Sequence, residues 1–136
     1  MNDPFSALLR VHLIIEQYLD KIITNHLSSP KILLKDGRLT FNQKILLVGS
    51  LDILDKKVYN AIRKLNDIRN NCAHKLETEL DKETIGKLGN ELRPWFTKLK
   101  KDNASDHKQL LGYILPYLVG KTASYTVKVK GRSYKR

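Results

Sequence analysis

Apolar residues recur along most of this chain at three- and four-residue intervals, the spacing of a single helix face. The first such segment opens at Asp3-Pro4, a carboxylate able to cap free amides followed by a proline whose missing donor costs nothing there. It predicts a helix from Pro4 to about His26. Leu8, Val11, Ile15, Tyr18, Leu19 and Ile22 form its stripe, and Phe5, Leu9, Leu13, Ile23 and Leu27 widen the apolar arc beyond half the circumference. A helix of that kind needs two surfaces to pack against: the domain's own core and, as a candidate for the other, a second protomer. Glu16 and Asp20 fall inside the arc, where unpaired carboxylates are costly to bury, so they are expected to meet a cation or a wet interface.

Residues 28–39 contain Pro30, a short Ile32-Leu33-Leu34 run and the turn signal Asp36-Gly37, a loop with an apolar anchor. Thr40 and Gln43 then form a capping box that opens a second helix through Phe41, Ile45, Leu46 and Val48, with a break over Gly49 to Asp55. The third helix starts near Asp55, carries Val58, Ala61, Ile62, Leu65, Ile68 and Cys72 on one stripe, and ends close to His74. Asp81 caps a fourth, with Ile85, Leu88, Leu92, Trp95, Phe96 and Leu99 on its stripe and Pro94 kinking or splitting it. A fifth spans about Asp106 to Val119, and Pro116 is expected to distort its last turn. Beyond Gly120, Tyr125, Val127 and Val129 alternate with polar residues at the period of a strand. A lone strand either adds to another chain or stays mobile. The pattern therefore predicts an all-α fold, an antiparallel bundle of about five helices over residues 1–120, followed by a basic tail over residues 121–136.

Composition agrees with this reading, at 41% apolar and 29% charged residues. No apolar run approaches the roughly 20 residues that span a bilayer, and the amino terminus lacks the basic region and apolar core of a secretory signal. A cytoplasmic protein without a membrane partner is the expectation. Charge changes the picture more. The formal net charge is +11, and Lys121, Lys128, Lys130, Arg132, Lys135 and Arg136 put six bases and no acid in the tail. Such a tail either binds nucleic acid or another polyanion, or serves as a solubilising terminus.

The chemically suggestive stretch is Asn66 to His74, reading Asn-Asp-Ile-Arg-Asn-Asn-Cys-Ala-His at the end of the third helix. Arg69, Asn70 and His74 offer a fixed cation, an amide and a group that titrates near neutral pH, a set suited to a phosphate. With Leu65 as the centre of the stripe, Arg69 falls about 40° away on the core side, and Asn70 and His74 about 140° and 180° round. An arginine there must find a carboxylate or extend to a wet edge, and Glu16 and Asp20 are the natural partners if the two helices are neighbours. His74 alone reads equally as a helix-end residue interacting with the dipole. Convergence of the three is easier if two copies of the helix meet across a two-fold axis. Cys72 reads as a small apolar residue, and with four scattered histidines it makes no metal site. His12 and His26 read as core-edge or cap residues, and Trp95-Phe96 as core.

Arg69-Asn-Asn-Cys-Ala-His74 resembles the signature of the HEPN superfamily, small all-helical domains with Arg, four to six residues, then His near a helix end. The preceding Leu39-Thr-Phe-Asn-Gln-Lys-Ile-Leu-Leu-Val-Gly49 and Leu65-Asn-Asp-Ile-Arg-Asn70 are similar to the branch that includes the mannitol operon repressor-like proteins, and the likeness covers roughly residues 5–118. The resemblance implies a bundle that dimerises with its motifs near the interface and, in many members, a metal-independent ribonuclease acting as a toxin or phage-defence effector. Carried onto this chain, Arg69 would hold the scissile phosphate, His74 would act as general acid or base, and Asn70 would orient one or the other. The nucleophile would be the RNA's own 2′-hydroxyl, with no cofactor. RNA, a second copy and an antitoxin protein are the implied partners. Leu76 stands where toxins of the nucleotidyltransferase-paired type often carry a tyrosine, so regulation through that tyrosine is not expected. The alternative that the repressor-like branch implies is a non-catalytic regulator or an interaction module for nucleic acid or protein.

Overall fold

The computed structural model describes residues 3–73, 80–102 and 106–127. Over these the chain is helical: α1 (Pro4–His26), a π-helical turn (Ile32–Asp36), α2 (Phe41–Ser50), α3 (Lys56–Ala73), α4 (Lys82–Asn90), α5 (Trp95–Asp102) and α6 (His107–Ala123). The all-α bundle expected from the pattern is the observed architecture. Its helix starts are those that the side chains dictate. Asp3 accepts from the Ser6 amide at 2.9 Å, Asp81 from Thr84 at 2.8 Å and Asp106 from Gln109 at 2.9 Å, while Thr40 and Gln43 close a reciprocal capping box. Each cap satisfies an amide that the helix leaves without a partner, a contribution of about 1 kcal/mol.

α1 lies against α2, α3 and α6, and α3 also touches α2, α4 and α6. Leu8, Ile15, Leu19, Ile22 and Ile23 from α1 meet Ile45, Val48, Ile62, Leu65, Ile114 and Leu118 in one core from which water is excluded. Full burial of each such side chain is worth about 1.5–3 kcal/mol.

The predicted fourth helix is split at Pro94 into α4 and α5, one of the two outcomes expected of that proline, so the described residues hold six α-helices where about five were expected. Two details depart from the pattern. α6 does not lose its order at Pro116 but runs on to Ala123, because Leu118 and Thr122 are buried beyond the proline and the Thr122 hydroxyl donates to Leu118 O at 2.8 Å. The alternation after Gly120 does not form a strand among the described residues. The amides of Ser124, Tyr125 and Thr126 bond to Gly120, Thr122 and Ala123 carbonyls, so they are spent on helix-end turns before a ladder can begin. Asn25 Nδ2 donates to Thr126 O and the Asp55 amide to the Tyr125 hydroxyl, and both bonds fold this segment back onto the bundle. Val129 lies outside the described residues.

Candidate functional site

The two carboxylates misplaced on α1 are answered by α2, not by α3. Lys44 Nζ lies 3.0 Å from Glu16 Oε2 and 2.9 Å from Asp20 Oδ1. Lys44 is itself buried, which opposes its charge, but its contacts with Asp20 and Glu16 outweigh that cost and hold the ammonium above the usual lysine range. The expected pairing of Arg69 with Glu16 and Asp20 is therefore not made. Lys44 follows the capping box by one residue, and the α1–α2 contact brings it to both acids before an arginine on α3 can reach them.

Arg69 is left exposed although its helical angle points to the core side. It stands at the edge of an open cavity of about 440 Å³. Arg69 and Asn70 from α3 share this cavity with His12 and Glu16 from α1 and with Thr40, Phe41 and Asn42 at the start of α2. Arg69 Nη1 donates to Asn70 Oδ1 over a long 3.4 Å, and among the described residues Arg69 has no ion pair. Its remaining donors are available for an acceptor in the cavity.

The floor is built by residues to which the pattern gives no chemical role. His12 Nε2 and Asn66 Oδ1 are 2.9 Å apart, both residues only 6% exposed, and the imidazole stacks on Phe41 with ring centroids 4.0 Å apart. An amide oxygen only accepts, so Nε2 carries the proton in this arrangement. Burial holds the imidazole below the usual histidine range. The Asn66 bond and the Glu16 charge work against that shift, and the Arg69 charge adds to it. His12 is accordingly neutral at pH 7. A signal for it exists in the sequence: His12, Glu16 and Asp20 are spaced by four, a polar line along an apolar helix, and such a line has to face something polar.

The tail is represented in the described residues by Lys121, exposed on α6 with Nζ 5.4 Å from the Tyr117 ring centre. Lys128, Lys130, Arg132, Lys135 and Arg136 lie outside the described residues, as does His74. Of the three motif residues, Arg69 and Asn70 stand at the edge of the cavity. No group of three His, Cys, Asp or Glu among the described residues is arranged to hold a metal ion, and no described helix is long and apolar enough to cross a membrane. Comparison of the chain with protein-family models, curated proteins and solved structures finds no match.

Proposed function

We propose that the protein is a metal-independent endoribonuclease of HEPN type. The observation that carries this reading is the open cavity at Arg69 and Asn70, where the guanidinium forms no ion pair among the described residues. A cation, an amide and a neutral imidazole around one open cavity suit a phosphodiester, whose charge grows as it reacts. In this reading the 2′-oxygen of the RNA bonds to phosphorus as the bond to the 5′-oxygen breaks. The base accepts the 2′-hydroxyl proton, the acid returns one to the leaving oxygen, and the products are a 2′,3′-cyclic phosphate and a 5′-hydroxyl. Arg69 neutralises the phosphate, Asn70 orients it, and His74 transfers a proton. Asn66 and His12 hold the cavity floor.

A second copy is part of the proposal. Leu13 and Ile14 on α1 and Leu46 on α2 are exposed apolar side chains. Leu13 precedes Glu16 by one turn and Leu46 follows Asn42 by one turn, so both adjoin the cavity's rim. Covering them with a partner would close the site from water and set two motifs close together. A toxin or phage-defence role, restrained by an antitoxin protein in the cytoplasm, is the setting that the HEPN resemblance implies.

The test is incubation with single-stranded and structured RNA in EDTA, with end analysis of the products. Cleavage to cyclic phosphate ends, lost in Arg69→Ala and His74→Ala, is the expected result. Equal behaviour of wild type and His74→Ala ends the enzyme reading. Binding without cleavage would favour a non-catalytic regulator, a reading to which the exposed Arg69–Asn70 edge also lends itself, since it can hold a phosphate without breaking it.

A further inference from the structure

A second pocket lies at the other end of α3, where the turn before α5, the end of α6 and the segment after it converge. Trp95 and Tyr117 stack in it with ring centroids 3.7 Å apart and planes 7° from parallel, and Tyr125 adds a third aromatic wall. All three are half-buried, whereas Phe96, the neighbour of Trp95, is fully inside the core. The Trp95-Phe96 pair thus divides: one ring builds the core and the other lines a pocket.

The rim is cationic. Lys57, Arg93 and Lys121 are exposed around these rings, and among the described residues none of the three is in an ion pair. Arg93 uses Nε on the Asn90 carbonyl at 3.1 Å, a bond that engages one of its five donors and leaves the two terminal nitrogens outside it. The single carboxylate in the pocket, Asp55, is engaged locally: Oδ1 accepts from the Lys57 amide at 2.8 Å. Three cations against one acid around half-exposed aromatic rings is a combination suited to a base with phosphates on either side, because every nucleobase has a π-face and the backbone supplies the charge.

We infer that this pocket binds a nucleobase and the flanking phosphates of single-stranded RNA, as a docking site separate from the cavity at Arg69. From Val58 in this pocket to Arg69 is about 16 Å along α3, so one strand of several nucleotides reaches both. The choice of RNA as the polymer rests on the function proposed above. Occupation of the pocket does not depend on cleavage.

Trp95 is the only tryptophan in the chain, so its emission reports this pocket alone. The experiment titrates the full chain with 2′-O-methyl oligouridylate and oligoadenylate, which offer no 2′-hydroxyl nucleophile, with uridine monophosphate, and with inorganic polyphosphate. Binding is followed in parallel by the anisotropy of a labelled oligonucleotide. Saturable quenching of Trp95 by the oligonucleotides, but not by polyphosphate, is expected. Trp95→Leu weakens the anisotropy-measured affinity on the order of 10- to 100-fold, the worth of one stacked base. The exposed changes Lys57→Ala, Arg93→Ala and Lys121→Ala, which leave the core untouched, together lower the slope of log K against log salt by about 2. Oligonucleotide binding that leaves Trp95 emission unchanged places the RNA elsewhere and overturns the inference. So does equal quenching by polyphosphate, or by uridine monophosphate at the same affinity. If quenching occurs and wild type does not cleave RNA, the docking site stands and the ribonuclease reading falls.

Discussion

Replacing Lys44 and Arg69 in turn by alanine separates the charge that holds the bundle from the charge proposed to hold substrate. Lys44→Ala removes an ammonium whose side chain is 11% exposed and takes from Glu16, at 29%, and Asp20, at 41%, the cation they share. Breaking a fully buried pair costs about 3–5 kcal/mol, and an exposed pair about 0.2–1 kcal/mol. Both carboxylates keep contact with water, so screening brings the cost down from the buried limit to about 2 kcal/mol, including the packing of the lysine stem. For a chain of this size that is a fall in Tm of roughly 6–10 °C. Arg69→Ala removes an exposed side chain without an ion pair among the described residues, and should stay within about 0.5 kcal/mol, or roughly 2 °C.

Thermal melts followed by far-ultraviolet circular dichroism, with urea unfolding as a check, give both numbers. Adding Glu16→Gln and Asp20→Asn to Lys44→Met should recover much of the lost stability, since the penalty comes from orphaned charge and not from lost volume. The Lys44 contribution has a fixed sign with pH. Its pKa is raised on folding, so the stabilisation is complete below 10.5 and fades only as pH climbs through the still higher folded value. The Lys44→Ala penalty is thus constant between pH 6 and 9. A Tm loss for Arg69→Ala as large as that for Lys44→Ala would refute the argument, because it would make Arg69 a structural cation.

Other consequences are independent of that one. The lowered pKa of His12 means that the unfolded chain binds the proton first, so stability is full above pH 6.5 and falls as pH drops from there through the folded value; His12→Gln, which keeps a donor for Asn66, should flatten that part of the Tm–pH curve. Asn66→Leu leaves the buried His12 nitrogen without its acceptor and should cost about 1–3 kcal/mol by urea unfolding. Gly89→Ala would bring a methyl to 2.5 Å from the fully buried Phe96 ring, and the resulting overpacking should cost about 1–3 kcal/mol, whereas Gly86→Ala, with open space around it, should not destabilise. If the proposed dimer forms through Leu13 and Leu46, Leu13→Asp with Leu46→Asp should shift the mass measured by light scattering to that of a monomer and lower the proposed RNA cleavage with it, while the melt stays cooperative.

The helices, their caps and the core stripe were legible in the chain because each depends on residues three or four positions apart: Asp3 with Ser6, Thr40 with Gln43, Asp81 with Thr84. The site was legible only in part. Periodicity gives the angle of Arg69 on α3 and places it on the core side, whereas its side chain is exposed at the edge of a cavity. It says nothing of whether that position meets a helix or a cavity, since this depends on how α1 and α2 pack beside α3. Nor does it rank rivals for a carboxylate. Lys44 and Arg69 both suit Glu16 and Asp20, and the choice was made by the α1–α2 contact, a fact of packing and not of spacing.

That choice bears on function more than on stability. With Lys44 holding both acids, the arginine needs no internal counter-charge and can stand at an open cavity, while His12 and Asn66 satisfy one another beneath it. Exchanging Lys44 for a neutral residue would offer Arg69 the carboxylate of Glu16, which lines the same cavity. The variant Lys44→Met should therefore lose RNA affinity at the Arg69 cavity as well as stability, and Lys44→Met with Glu16→Gln should regain the affinity. Recovery of stability without recovery of affinity would show that Glu16 does not compete with phosphate for Arg69.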